Sequence, residues 1–161
     1  MRVGIGYDIH RVSAVRTLVL GGVTFDGCDG LEGHSDADVV YHAVADALLG
    51  AAALGDIGEH FPDETSRWKD ADSAEIVSIT RDTIQEQRGC QPHNIDINIM
   101  AEKPRLGDRK SEMEQNIASL LALSETKVNV KARSGEGVGP VGQHRAIAAQ
   151  AVALVTERGG E

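Results

Sequence analysis

The sequence predicts an α+β fold, a sandwich in which a mixed β-sheet carries about three helices on one face. Residues 94–101 alternate isoleucine with polar residues, which is the period of a strand with one buried face. Three amphipathic segments of helical length are interspersed with predicted strands. The 161 residues fit one domain with its own core, residues 1–161.

The first predicted elements are a strand and a hairpin. Arg2–Tyr7 is short, apolar and rich in glycine, which indicates a strand. Residues 17–25 contain Gly21 and Gly22, a pair that fits a hairpin arm or a bulged strand. Residues 26–33 are expected to form a loop.

The first predicted helix begins after Ser35 or Asp36 as its N-cap and extends to about Gly50. Residues 51–56 could extend it, and residues 57–68 are predicted to form a loop. Polar side chains four residues apart form one stripe along this helix. The stripe consists of Asp38, which is expected to face solvent, His42 and Asp46.

The second predicted helix is defined by its two ends. Asp72 or Ser73 is expected to cap its N-terminus, because a short polar side chain there accepts first-turn N–H groups. The helix is expected to end near Arg88, since Gly89 can adopt the left-handed conformation that terminates a helix.

The C-terminal third alternates helix and strand. A turn at residues 102–107 precedes an amphipathic helix at residues 109–123 and a strand at residues 128–132. Residues 133–142 form a glycine-rich loop. The alanine-rich segment 146–157 fits either a helix or a strand.

Composition limits the kinds of ligand and the cellular compartment that we expect for this chain. The net charge of −9 argues against nucleic acid, because phosphate backbones require clustered lysine and arginine, but it allows a small phosphorylated ligand at a local site. Cys28 and Cys90 are expected to be reduced thiols. We find no signal peptide, and the longest apolar run, residues 43–54, is too short to span a bilayer. A soluble, cytoplasmic protein is expected.

Three metal-ligating residue types stand out. Asp8 and His10 are two residues apart, so their side chains share one face of an extended chain, and His42 lies on the first predicted helix. Three protein ligands with a fourth position open are typical of a catalytic metal. Zinc suits these ligands, and manganese and iron also accept them. Asp46 could orient His42 or contact substrate.

Three further features favour phosphate or sugar binding, each with a structural alternative. His34, beside Ser35, could donate to a phosphate at a helix start or serve as a cap. Asp56, between two glycines, could hold a ribose diol, although an ordinary turn explains it better. Residues 131–139, with Glu136, could form a phosphate-and-metal loop or a plain surface loop.

Six segments together resemble one family, 2-C-methyl-D-erythritol 2,4-cyclodiphosphate synthase. They occur in the family's order and cover nearly the whole chain, and the stretch from Gly33 to Gly58 is the most specific. The segments are residues 8–10, 33–38, 46–58, 61–63, 101–106 and 128–132.

The resemblance implies an enzyme of non-mevalonate isoprenoid biosynthesis. Such an enzyme converts 4-diphosphocytidyl-2-C-methyl-D-erythritol 2-phosphate into the cyclic diphosphate and releases CMP, as a phosphorus–oxygen lyase. The resemblance also implies a homotrimer, with active sites at the subunit interfaces. One Zn²⁺ per subunit and a second ion, Mg²⁺ or Mn²⁺, are the implied cofactors.

The resemblance also assigns roles to residues. Asp8, His10 and His42 match the zinc ligands, Glu136 matches the ligand of the second ion, and His34 and Ser134 match positions that stabilise the transition state. Asp56 and Gly58 match the ribose contact. The cytidine pocket, contributed by the neighbouring subunit, matches Ala101, Glu102, Lys103, Pro104, Arg105, Leu106 and Gly107. The remaining implied substrate contacts are Ile9, Ser35, Asp46, Ile57, Phe61, Pro62, Asp63, Lys131, Ala132, Arg133 and Gly135.

The chain departs from the family at two places. Arg133 and Ser134 replace a usual pair of threonines, and Gln143 replaces an arginine at the trimer axis that can meet an isoprenoid diphosphate. Arg133 motivates one alternative, a paralogue acting on another nucleotide-linked phosphate. A second alternative is a non-catalytic, zinc-stabilised trimer that serves as a binding module.

Overall fold

The chain forms one mixed β-sheet with helices, seen in a computed structural model that describes residues 1–62, 68 and 71–157. Within these residues the strands are β1 (Arg2–Leu20), β2 (Val23–Leu31), β3 (Cys90–Met100), β4 (Val128–Arg133) and β5 (Ala146–Glu157). The helices are α1 (Val39–Ala52), α2 (Ile57–His60), α3 (Ser73–Arg88), α4 (Lys110–Leu120) and α5 (Gly139–Gly142). The predicted α+β class with a mixed sheet is confirmed.

The sheet has the strand order β2-β1-β5-β3-β4. All neighbouring strands are antiparallel except β3 and β4, which are parallel. The alanine-rich segment is thus a strand, and it occupies the centre of the sheet. Its residues at alternate positions are buried. They lie on the face that helices cover, where a central strand needs small side chains. The buried set includes Ala149, Ala151, Ala153 and Val155.

The N-terminal hairpin is longer than the sequence predicted. β1 continues far past Tyr7, and β2 extends through most of residues 26–33, where a loop was expected. The expectation of a loop was wrong. The segment lacks the apolar–polar alternation of a half-buried strand, but in the fold it is the edge strand of the sheet and pairs with β1 on one side only. Gly21 and Gly22 have φ of 57° and 72° and form the turn between the strands.

The N-cap of α1 is Asp38, which corrects the prediction of Ser35 or Asp36. Ala37 has a left-handed φ of 59°, so the chain turns once more before helical geometry begins at Val39. The sequence contains several cap-forming residues in a row, and only the backbone turn decides among them.

Asp38 is completely buried, so the expectation that it faces solvent was wrong. Its carboxylate accepts four backbone N–H bonds, two from the first turn of α1 and two from the β1–β2 turn. The donors are Val40, Tyr41, Gly21 and Gly22. One side chain therefore fastens the start of α1 to the hairpin.

Two glycines of β1 let α1 approach the sheet at backbone distance. A Cβ on Gly4 would lie 2.0 Å from the carbonyl oxygen of Ala47, and one on Gly6 would lie 2.0 Å from that of Ala43. α1 also contacts β5 and α3, which leaves most of its surface buried.

Replacing Gly50 with alanine is expected to stabilise the protein by about 0.5–1 kcal/mol, because glycine in a helix interior costs backbone entropy. Gly50 lies in α1 and is exposed, and a Cβ there would meet nothing closer than the carbonyl oxygen of Ile5 at 3.7 Å. Urea unfolding at fixed protein concentration measures the change. A loss of stability would contradict the prediction.

The remaining helices agree with the sequence in part. α3 has the predicted caps, Asp72 and Gly89. α4 is shorter than the predicted 109–123, and it is preceded by a turn of 3₁₀ helix at Gly107–Arg109. The short helices α2 and α5 lie in segments that were predicted to be loops. None of the described helices is long and apolar enough to cross a membrane.

The side chains of β1 that point away from α1 form an exposed apolar stripe. Ile5, for example, is 62% exposed, and its neighbour across the β1–β5 ladder, Val152, is also exposed. We call this surface the open-face stripe; it consists of Val3, Ile5, Tyr7, Ile9 and Val152. A contiguous apolar surface of this kind is typical of an interaction site.

Candidate active site

Asp8, His10 and His42 converge between β1 and α1. Asp8 and His10 lie on the face of β1 that carries Gly4 and Gly6, and His42 projects from α1 towards them. The three side chains offer ligand atoms that all lie within 4.8 Å of one another. The close approach of α1 to β1 is therefore what brings the third ligand to the other two.

The geometry of this trio fits a tetrahedral metal ion. Asp8 Oδ2 lies 2.8 Å from His10 Nε2 and 2.9 Å from His42 Nδ1, and the two nitrogens are 3.2 Å apart. Ligand atoms about 2.0–2.1 Å from a tetrahedral ion are separated by roughly 3.3 Å, so small side-chain shifts suffice to bind one. Two imidazoles and a carboxylate are also a suitable donor set for zinc.

Electrostatics keep Asp8 in the ionised form that a metal requires. Burial opposes ionisation of this carboxyl group, but hydrogen bonds and charge interactions with His10 and His42 outweigh it and hold the pKa of Asp8 well below its ordinary value. On the far side of His10, Nδ1 donates to the carbonyl oxygen of Glu32. Because Nδ1 keeps its proton in this bond, Nε2 is the ring nitrogen that can offer a lone pair to a metal ion.

A cavity of about 490 Å³ opens over the trio. Besides the three ligands, its lining includes six residues that the sequence predicted for the site: His34, Ser35, Ile57, Gly58, Phe61 and Pro62. The sequence missed three lining residues, Gly33, Trp68 and Ile76. Trp68 is the chain's single tryptophan, and this rarity was the available signal in the sequence. In the structure Trp68 packs edge-on against Phe61, with ring centroids 4.9 Å apart.

Two predicted carboxylates support the cavity wall. Asp46 accepts the backbone N–H of Ile57 at 2.9 Å, and Asp56 caps α2 by accepting from Glu59 at 3.1 Å. Burial raises the pKa of Asp46, against the hydrogen bond from Ile57. These contacts position the segment that contains Gly58 at the rim of the cavity.

A second cavity, of about 650 Å³, lies beside the end of β4. Nine of the predicted substrate-binding residues and the predicted catalytic residue Ser134 line it. They are Ala101, Glu102, Pro104, Arg105, Leu106, Gly107, Lys131, Ala132, Arg133 and Ser134. Asp108 and Lys110 also line it and were not predicted. Arginine and lysine side chains make this cavity suitable for an anionic ligand.

Comparison with known proteins places the chain in a family. The model of the YgbB family matches residues 1–156, almost the whole chain. The chain belongs to the YgbB family.

Relatives of this YgbB-family chain include cyclodiphosphate synthases and bifunctional enzymes. A 2-C-methyl-D-erythritol 2,4-cyclodiphosphate synthase from Salinibacter ruber is 50% identical over 155 residues, covering 96% of this chain and 98% of the relative. The solved bifunctional IspDF of Campylobacter jejuni has a TM-score of 0.91 at 41% identity, covering 96% of this chain and 42% of that chain. The solved IspF–CDP complex of Plasmodium falciparum has a TM-score of 0.84 at 32% identity, covering 97% of this chain and 96% of that chain.

Among the described residues of this YgbB-family chain, the two cavities have no lining residue in common. Glu136 lies in the loop that follows Ser134; it is exposed, and within the described part of the chain it is not among the residues clustered with the metal trio. Gly135 donates its N–H to Glu102 at 3.1 Å, which ties this loop to the second cavity.

Ile9 and Lys103, two predicted site residues that the structure describes, line neither of these two cavities. Ile9 belongs to the open-face stripe, on the side of β1 opposite the trio. Lys103 lines a small neighbouring cavity together with Pro104. Asp63 lies outside the described residues. His34 is exposed over the trio. The alternative role considered for His34 was a helix cap, and Asp38 is the residue that caps α1.

Proposed function

We propose that this chain is a 2-C-methyl-D-erythritol 2,4-cyclodiphosphate synthase of the non-mevalonate isoprenoid pathway, located in the cytoplasm. It converts 4-diphosphocytidyl-2-C-methyl-D-erythritol 2-phosphate into the cyclic 2,4-diphosphate and releases CMP, which makes it a phosphorus–oxygen lyase. The observation that carries the proposal is the convergence of Asp8, His10 and His42 in a chain of the YgbB family. The Salinibacter ruber relative carries the synthase name, and the match covers 98% of its length, which supports the proposal.

The proposed metal site holds one Zn²⁺ on Asp8, His10 and His42. Glu136 is the proposed protein ligand of a second ion, Mg²⁺ or Mn²⁺, that binds with the substrate. Together the bound ions offset phosphate charge and align the reacting groups.

The chain's own contribution is mainly to hold the substrate in a ring-closing conformation. An oxygen of the 2-phosphate attacks the β-phosphorus, and the bond from that phosphorus to the oxygen bridging to the α-phosphate breaks. The electron pair leaves with CMP. His34, which lines the first cavity, and the hydroxyl of Ser134, which lines the second, are the proposed donors of hydrogen bonds to phosphate oxygens.

The second cavity is the proposed nucleotide pocket. Residues 101–107 surround the cytosine, and the segment from Lys131 to Gly135 approaches the phosphates. Asp56 and Gly58, at the rim of the first cavity, contact the ribose of a nucleotide held by a neighbouring subunit. The Plasmodium falciparum relative was solved as a complex with CDP, which supports a cytidine nucleotide as the ligand of this chain.

The proposed assembly is a homotrimer whose active sites lie between subunits. In this assembly the metal trio of one subunit would face the nucleotide pocket of the next, which agrees with the separate linings that the two cavities have among the described residues. The open-face stripe provides the apolar surface that such an assembly would bury.

Replacing Ile5 with aspartate is expected to convert the trimer into monomers, because three buried carboxylates would lack partners at the interface. Light scattering after size-exclusion chromatography measures the mass. Val15→Asp is the matched control, since Val15 lies on the same strand, is 91% exposed and is outside the stripe. A trimeric Ile5→Asp protein would contradict the proposed interface.

Arg133 favours one second candidate, a paralogue that acts on another nucleotide-linked phosphate. Its guanidinium lies in the second cavity and donates to the carbonyl oxygen of Ala132 at 3.1 Å. A long cation at this point could select a different base or an additional phosphate.

A direct assay tests the proposal and separates it from this candidate. Purified, zinc-loaded protein is incubated with Mg²⁺ and the cytidyl substrate, or with its uridyl and adenyl counterparts, and the released nucleotide is identified. Rapid release of CMP with formation of the cyclic diphosphate is expected. No CMP from folded, metal-loaded protein would refute the proposal, and preferred release of another nucleotide would support the paralogue.

A further inference from the structure

The ring of His42 is held on the side away from the metal trio by two buried hydroxyl groups. Its Nε2 lies 3.1 Å from Ser35 Oγ and 3.1 Å from Ser73 Oγ, and the two hydroxyl oxygens are 3.0 Å apart. Ser35 is 5% exposed and Ser73 is not exposed at all. Water therefore has little access, and these groups must satisfy one another.

A carboxylate fixes the direction of these hydrogen bonds. Ser73 Oγ donates to Asp36 Oδ1 at 2.5 Å, and a carboxylate can only accept. The single hydroxyl proton of Ser73 is thus committed to Asp36. Towards His42, Ser73 can offer only a lone pair, so it is placed to accept the proton that Nε2 of His42 carries once Nδ1 is bound to a metal ion.

Ser35 completes the network consistently. Its oxygen accepts the backbone N–H of Ala37 at 3.1 Å, and its own proton can point to the oxygen of Ser73. Each hydrogen then has an acceptor, and the proton on Nε2 of His42 is shared between the two hydroxyl oxygens. A neutral imidazole with this proton has none on Nδ1, the atom that faces Asp8 and His10.

We propose that Ser73 and Asp36 are positioning residues for the metal site. They hold His42 in the tautomer and orientation in which the lone pair of Nδ1 points into the trio. The inference rests on the proposed metal site, and it concerns residues that reach the metal only through His42. Neither residue was predicted from the sequence as part of the site. Ser73 in particular is 31 positions from His42 along the chain, so spacing does not connect the two.

A purely structural role is the competing explanation. Asp36 also accepts the backbone N–H groups of Ser73 at 3.3 Å and Asp38 at 3.1 Å, so its removal could loosen the start of α1 or α3 without acting on His42. The test must therefore measure metal binding and the state of the ring, in addition to stability.

The first measurement is the dissociation constant for Zn²⁺, by competition with a chromogenic chelator on the full chain. Ser73→Ala is expected to weaken binding by about 10- to 100-fold, the usual effect of removing an outer partner of a ligating histidine. Ser78→Ala is the matched control, since Ser78 lies on the same helix and its hydroxyl donates to the carbonyl oxygen of Ala74 at 2.9 Å. Its affinity for Zn²⁺ is expected to stay at the wild-type value.

The second measurement is the exchange with water of the proton on His42 Nε2, followed by its ¹H–¹⁵N signal in the zinc-loaded protein. In the wild type this proton is expected to exchange slowly, and in Ser73→Ala it is expected to exchange faster. Ser73→Thr retains a hydroxyl group and is expected to restore both the slow exchange and the affinity. A wild-type proton that exchanges as fast as that of Ser73→Ala would overturn the inference.

A double-mutant cycle separates the relay from a structural effect. Asp36→Ala alone is expected to weaken Zn²⁺ binding, and to add little further loss when Ser73 is already alanine, because the two act through one contact. Fully additive losses, or a Ser73→Ala protein with wild-type affinity and wild-type proton exchange at Nε2, would overturn the inference. If the wild-type chain itself binds no Zn²⁺, the proposed function fails instead.

Discussion

Replacing His42 with alanine is expected to lower the rate of CMP release by about a thousandfold, equivalent to ~4 kcal/mol of transition-state stabilisation. The substitution removes one of three ligands, and the remaining pair, Asp8 and His10, cannot form a site of zinc-like geometry alone. The initial rate at saturating substrate and the zinc content per chain are the two measurements. Both are expected to fall together.

The control for this experiment is His93→Ala. His93 is exposed on β3, and within the described part of the chain it is not among the residues clustered with the trio. Its replacement is expected to leave rate and zinc content unchanged. A His42→Ala enzyme that turns over at the wild-type rate would show that the trio is not the metal centre.

Replacing Gly4 with alanine is expected to destabilise the protein by about 3 kcal/mol, at the upper end of the usual cost of overpacking. The added Cβ would lie 2.0 Å from the carbonyl oxygen of Ala47 and 2.3 Å from the nitrogen of Ala51. Both are backbone atoms of α1, so no side-chain rotation can relieve the clash, and α1 must move away from β1.

Urea unfolding measures this loss, with protein and zinc concentrations held fixed because ligand binding and assembly add to apparent stability. Gly107→Ala is the matched control, since a Cβ on Gly107 would have no atom within 4 Å and the residue has no positive φ. Its stability is expected to stay near that of the wild type. Equal stability of the Gly4→Ala and Gly107→Ala proteins would contradict the close approach of α1.

The sequence predicted the metal trio because its signal is local. Asp8 and His10 are two residues apart on a strand, and His42 lies on a predicted helix, so residue type and spacing sufficed. The support behind the trio was not predictable in the same way. Whether Asp36 caps a helix, faces water or binds Ser73 depends on a left-handed residue and on a helix far along the chain.

The edge of the sheet shows a second limit. β2 contains glycine and aspartate where a strand usually alternates apolar and polar residues, and its conformation depends on pairing with β1. The opposite case is β5, whose alanine-rich sequence fitted two conformations until its neighbours were known. Tertiary partners decided both elements, whereas α3 could be predicted from its own caps.

The second half of the proposed site is a different kind of problem. Lys131, Arg133 and Ser134 gather around one cavity in a single chain, but in the proposed trimer their relation to the trio depends on another subunit. The roles of Glu136 and Ser134 therefore stay predictions.

The strand order has a consequence for the way the chain assembles during its synthesis. The β1–β2 hairpin and the β3–β4 pair are joined within the sheet only by β5, which follows all of them in the sequence. A nascent chain that has not yet released β5 from the ribosome therefore carries two half-sheets, each with an unpaired inner edge. Exposed edges of this kind can pair with strands of other chains, so wrong pairing competes with folding most strongly in this interval.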